Sequence, residues 1–101
     1  MVRHIVAWNY ADGFTKEENK QHTVVMKKEL ENLKNLIGGI ISIQVLTNPV
    51  DTSDSDVLLD CVFESEEALK AYTIHPEHVR VGTNYVKPVM KNRKCIDFFM
   101  D

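Results

Sequence analysis

Ile40-Ile41-Ser42-Ile43-Gln44-Val45-Leu46 and Val57-Leu58-Leu59-Asp60-Cys61-Val62-Phe63 decide the fold, because only a polar loop, residues 47–56, separates them. Both runs are rich in β-branched residues and each reads as a strand. Ile41, Ile43 and Val45 share one face of the first run, with Ser42 and Gln44 on the other. Val57, Leu59, Cys61 and Phe63 share a face of the second, with Asp60 opposite. The loop has too few apolar residues to make a helix, so the helices must lie outside this pair. Its Asp51-Thr52-Ser53-Asp54-Ser55-Asp56 is not a calcium loop: Asp56 stands where glycine is needed, and Val62 where glutamate is needed.

Before the first of these strands, Gly38-Gly39 stops a helix, since a left-handed residue after a helix is easiest for glycine. That helix starts at Thr15, which forms a capping box with Glu18. Met26, Leu30, Leu33 and Ile37 recur at helical spacing as its buried stripe; Lys16, Glu17, Lys20, Lys27, Lys28, Glu31 and Lys34 are its solvated face. Before it, residues 2–10 form a strand, with His4, Val6, Trp8 and Tyr10 on one face and Arg3, Ile5, Ala7 and Asn9 on the other; Ala11-Asp12-Gly13 turns the chain. On the other side, Ser65 caps a second helix that turns Ala68, Leu69 and Tyr72 inward. Pro76 interrupts it and opens a further helical piece, with Val79, Tyr85, Val86 and Val89 as its apolar side, Gly82 allowing close packing and Pro88 bending or ending it. Residues 94–100 form the last strand.

The order β-α-β-β-α-β predicts an α+β, ferredoxin-like domain spanning residues 1–101, an antiparallel sheet with helices on one face. The other sheet face also carries apolar residues, Val6, Trp8, Leu59 or their neighbours, and nothing in the chain remains to cover it. A second copy would, so the expected form is a homodimer, a dimeric α/β barrel with two sheets face to face around an interior space.

Composition narrows the function classes. Hydrophobic residues make up 44% of the chain and charged residues 27%, which suits a packed domain and not a disordered one. A net charge of −3 argues against a nucleic-acid partner. With no run of 18 apolar residues and no signal-like start, neither a membrane nor export is expected, and the location implied is cytoplasmic. Cys61 and Cys95 read as two reduced, buried thiols.

The chemistry-bearing stretch is Tyr72-Thr73-Ile74-His75-Pro76-Glu77-His78. His78 falls in the first turn after a helix break, where the locally positive helix end favours a neutral imidazole able to act as a base. Tyr72 is placed to donate a hydrogen bond to an oxyanion, and His4 on the first strand points to the same space. The structural reading of the same residues is a histidine capping backbone amides and a tyrosine packed in the core. His75 and His78 offer two metal ligands, with His4, His22 or Glu77 as a third; this falls short of a convergent set, and no metal is expected.

The His75-Pro76-Glu77-His78-Val79 segment, preceded by Tyr72 and followed by a helix and a terminal Cys95-Ile96-Asp97-Phe98 strand, resembles the stress-responsive A/B barrel (Dabb) family, and so does the opening Val2-Arg3-His4-Ile5-Val6. The resemblance implies the dimeric α+β barrel. Its plant polyketide cyclases, of the olivetolic acid cyclase type, need no cofactor and close a ring by aldol condensation. Similarity to them implies His78 as base and Tyr72 as assisting hydroxyl, with His75 and His4 nearby. It also implies a pocket lined by His4, Trp8, Met26 and Leu59. Met26 replaces a tyrosine of those cyclases and Glu77 a small residue, so pocket shape and histidine environment differ here.

Three functions are thus open: a small-molecule-binding dimer with cofactor-free His/Tyr acid–base chemistry on a carbonyl ligand; a non-enzymatic stress or structural dimer; and a cofactor-free monooxygenase of the same barrel superfamily. The third would use Asn9, Trp8 and His75 or His78, but Trp8 and Asn9 point to opposite faces. Access to His78 separates the first two.

Overall fold

The computed structural model describes all 101 residues. Four strands, β1 (Val2–Tyr10), β2 (Ile40–Leu46), β3 (Val57–Phe63) and β4 (Met90–Phe99), form one sheet in the order β2-β3-β1-β4. All three pairings are antiparallel. Helices α1 (Lys16–Glu31), α2 (Leu33–Leu36), α3 (Glu66–Ile74) and α4 (Pro76–Val81) lie between the strands, and a π-helical turn, Gly82–Val86, extends α4. This is the ferredoxin-like arrangement. No helix is long and apolar enough to cross a membrane.

Local signals act as the sequence implies. Thr15 accepts from the Glu18 amide while the Glu18 carboxylate accepts from the Thr15 amide, closing the capping box. Met26, Leu30, Leu33 and Ile37 are all buried. The helix breaks once within the expected span, at Asn32. Glu31 and Lys27 then bind the amide and the carbonyl of Val45, so α1 satisfies backbone groups on the edge strand β2.

Gly39 has φ +86°, and a Cβ there would meet the Ala68 Cβ at 2.7 Å. The turn after α2 therefore packs directly on α3. Gly39→Ala combines a left-handed backbone with a clash and should cost about 2–4 kcal/mol. A thermal melt should show Tm falling by roughly 10 °C or more. Gly82, expected to allow close packing, has nothing within 4 Å of its Cβ position; Gly39 is the tight site.

Other differences are positional. β4 starts at Met90 rather than Lys94, because Met90 and Lys91 already pair with Tyr10 and Asn9. A register shift between Ile40 and Ser42 turns Ile40 inward and leaves Ile41 exposed. Val79 is 51% exposed, and Val81 takes its place in the core. Cys61 is buried, and desolvation raises its thiol pKa to about 12; Cys95 is exposed, and both are free.

The sheet face carrying Val6, Trp8 and Leu59 is not the one left bare. Val6, Trp8 and Leu59 are buried within this one chain, on the helix side. Their neighbours carry the uncovered face: Ile5 lies between Asp60 and Ile96, Ala7 opposite Leu58, and Arg3 between Val62 and Phe98. Leu46 and Ile96 are about half exposed and Phe98 is 69% exposed. An Arg3–Asp60 fork, with contacts of 3.0 and 2.6 Å, is the ion pair on this face, which also carries Ser42, Gln44 and Lys94.

Candidate functional site

A cavity of about 260 Å³ opens between the helix side of the sheet and the α4–π turn. It lies inside one protomer, not between two sheets. His4, Val6, Trp8 and Leu59 form its floor, and Tyr72, His78, Gly82 and Val86 its wall. Five residues expected at a site, His4, Trp8, Leu59, Tyr72 and His78, therefore line it. Met26 does not: it is wholly buried in the core. His75 does not either, because its ring faces its own chain and accepts from the Glu77 amide at 3.1 Å, capping α4.

Tyr72 comes from the last turns of α3 and His78 from the first turn of α4, so the Pro76 break sets their angle. Their rings lie 4.2 Å apart, centre to centre. The Tyr72 side chain is wholly buried, yet its hydroxyl has no hydrogen-bond partner in the chain. Such a hydroxyl costs about 1–3 kcal/mol. Burial, with the Cys61 thiol beside it, raises its pKa, so it stays protonated and remains a donor.

His78 is oriented by backbone. Its Nδ1 lies 3.2 Å from the Thr73 carbonyl, which can only accept, so Nδ1 carries the proton and Nε2 keeps its lone pair. Burial lowers its pKa, partly opposed by the Thr73 contact, with His4, Arg93 and His75 lowering it further. The neutral ring is thus the resting form at pH 7. An NMR titration of His78 should give a midpoint below the ordinary 6.5. Because the folded value is the lower one, this contribution to stability is complete above pH 6.5 and is lost as pH falls through the folded midpoint.

His4 is nearly buried, and its Nδ1 donates to the Asp97 carboxylate directly across the strand pair. Its ring edges pack against Tyr72 and Phe63, each with centres 6.1 Å away. Cys95 donates its thiol to the same carboxylate at 3.3 Å. His4, Cys95 and Asp97 are also the donors the structure gathers most closely, their ligand atoms all within 4.8 Å. They satisfy one another by hydrogen bonds. His75 and His78 form no such group.

The sequence reading missed the cavity mouth, Lys87, Lys91, Asn92 and Arg93, and Asp97 behind His4. Asp97 was within reach of inference: aligning Val2 with Phe99 in an antiparallel pair puts His4 opposite Asp97. Arg93 follows from the same alignment, opposite Trp8, but Lys91 and Asn92 do not, because their placement depends on a bulge. Lys94 pairs with Ala7 and Lys91 with Asn9, so Asn92 and Arg93 together face Trp8, and Asn92 takes a left-handed φ of 56°.

The model of the stress responsive A/B barrel domain matches residues 2–100. The chain belongs to that family. None of the curated proteins matches this A/B barrel domain in sequence. Among solved structures it is similar to a dimeric ferredoxin-like protein from Bacteroides fragilis, 28% identical, with TM-score 0.89 over 98% of this chain and 95% of that one. It is also similar to an Arabidopsis thaliana protein, 23% identical, TM-score 0.79, over 100% and 96%. A hydroxynitrile lyase from Passiflora edulis shares the fold of the A/B barrel domain at 16% identity, TM-score 0.76, over 99% and 93%.

Proposed function

We propose that this chain is a homodimeric A/B barrel protein, cytoplasmic, that binds a small carbonyl compound in each protomer's cavity and moves a proton on it without a cofactor. The observation that carries the reading is the Tyr72 hydroxyl, buried and without a partner in the chain, beside a histidine held in one tautomer. In this mechanism His78 Nε2 removes a proton from the carbon next to the carbonyl. Tyr72 donates to the oxygen on which charge develops. Trp8, Leu59, Val6 and Val86 exclude water from the reacting centre. His4, held by Asp97, packs its ring edge against Tyr72 and fixes that side chain's position. Dimerisation is supported by the uncovered apolar sheet face and by the dimeric state of the Bacteroides fragilis relative. The lyase supports the fold alone.

The reading is tested by the smallest step it requires. Methyl 4-oxo-4-phenylbutanoate incubated with the protein in D2O should exchange the protons beside its ketone faster than in buffer, followed by proton NMR. Exchange at the buffer rate, with no shift of Tyr72 or His78 resonances on adding the ketone, would return the histidines to a structural role.

A further inference from the structure

Three charged residues line the cavity, Lys87, Lys91 and Arg93, and all are cationic; no carboxylate does so. The imbalance runs against a chain whose net charge is −3. Lys91 is already engaged by Asp12 at 2.6 Å. Arg93 has no such carboxylate partner, although its side chain reaches the Cys95 thiol and it shares an adjoining cleft with Glu66 and Asp97. Of the three arginines in the sequence, Arg3 is paired with Asp60, and Arg80 with Glu77 and Glu29, whereas Arg93 makes no ion pair. It also borders an adjoining cleft of about 280 Å³, sharing with His4 the boundary between the two spaces. Its charge is felt at both Tyr72 and His78.

We infer that the cavity takes a carbonyl ligand bearing a compact anionic group, a carboxylate or a phosphate monoester, and that Arg93 is the residue that holds it. The inference rests on the carbonyl-ligand reading above. The guanidinium presents a planar fork that matches either anion with two parallel hydrogen bonds. Alternation from Asp97 and Cys95, opposite His4 and Val6, puts Arg93 on the cavity side of β4, beside the bulge at Asn92. Lys87 adds a second positive charge at the mouth, which steers an acidic ligand inward. Anchoring the acid end at Arg93 leaves the carbonyl end for Tyr72 and His78 deeper in the cavity, so one residue sets both affinity and register.

The test compares matched probes on the intact protein. 4-Oxo-4-phenylbutanoate, its methyl ester and 3-oxo-3-phenylpropyl phosphate are titrated by calorimetry and by NMR shifts at Tyr72 and His78. The carboxylate or the phosphate should bind at least tenfold more tightly than the neutral ester, and the tighter of the two identifies the anion. Arg93→Gln should erase that preference without changing ester binding, and Arg93→Lys should restore part of it. Equal affinity for all three probes, or a preference unchanged in Arg93→Gln, overturns the anchor while leaving the cavity reading intact. No shift at Tyr72 or His78 with any probe overturns both.

Discussion

Ile96→Glu should convert the protein from dimer to monomer at micromolar concentration, read by sedimentation velocity. Ile96 sits opposite Ile5 in the middle of the uncovered face and is 49% exposed in the protomer. A second sheet laid on this face would bury a glutamate there, and the cations that share the face, Lys94 and the Asp60-paired Arg3, would offset only part of the cost. A buried, unpaired charge costs about 3–5 kcal/mol, and a two-fold interface suffers it twice. The dissociation constant should therefore rise by on the order of a thousandfold or more. The protomer itself should keep its circular dichroism, because the helix-side core is untouched. Ile96→Ala should weaken the dimer far less. If Ile96→Glu sediments as the parent does, or the parent is already a monomer, this face is not the interface.

Replacing His78 by Ala should lower proton exchange on the ketone probe by about a hundredfold to ten-thousandfold, the range for loss of a positioned general base. Stability should hardly change, since the ring is only half buried and its one hydrogen bond is to the Thr73 carbonyl. His75→Ala should do the opposite. It removes the α4 cap at a cost of about 1 kcal/mol and leaves exchange within a few-fold of the parent. The crossed pattern separates a catalytic histidine from a structural one four residues before Val79. Unfolding of His78→Ala, or equal exchange in both variants, would count against the assignment.

The sequence made the fold readable because each element carries its own signal. Thr15 with Glu18, Ser65, Pro76 and Gly39 mark helix ends by local chemistry, and the Met26-Leu30-Leu33-Ile37 stripe marks a face by period. Tyr72 and His78 were legible for the same reason, flanking one proline. What stayed hidden depends on pairing between distant strands. Which face of β1 the helices cover is a choice between two apolar faces, Val6 and Trp8 or Ile5 and Ala7, that alternation alone cannot make. Met26 and Leu59 are both apolar and buried, yet only Leu59 reaches the cavity, a matter of helix position over the sheet. Register shifts at Ile40 and near Asn92 leave no compositional mark.

The extra residue in β4 has a reach beyond its own position. Side chains alternate along a strand, and the bulge absorbs the inserted residue so that β4 stays matched to the faces of β1 on both sides of it. With the insertion, Arg93, Cys95 and Asp97 share the side of His4, while Lys94, Ile96 and Phe98 share the side of Ile5. Deleting Asn92 would only regularise the ladder, with Arg93 opposite Trp8 and Lys94 still opposite Ala7, whereas a one-residue slip of β4 along β1 would swap the two sets and send the guanidinium and the carboxylate out to the uncovered face. Ligand preference and self-association in this chain are thus written on alternate letters of one short segment, and a one-step slip of that segment along its neighbour would scramble both at once.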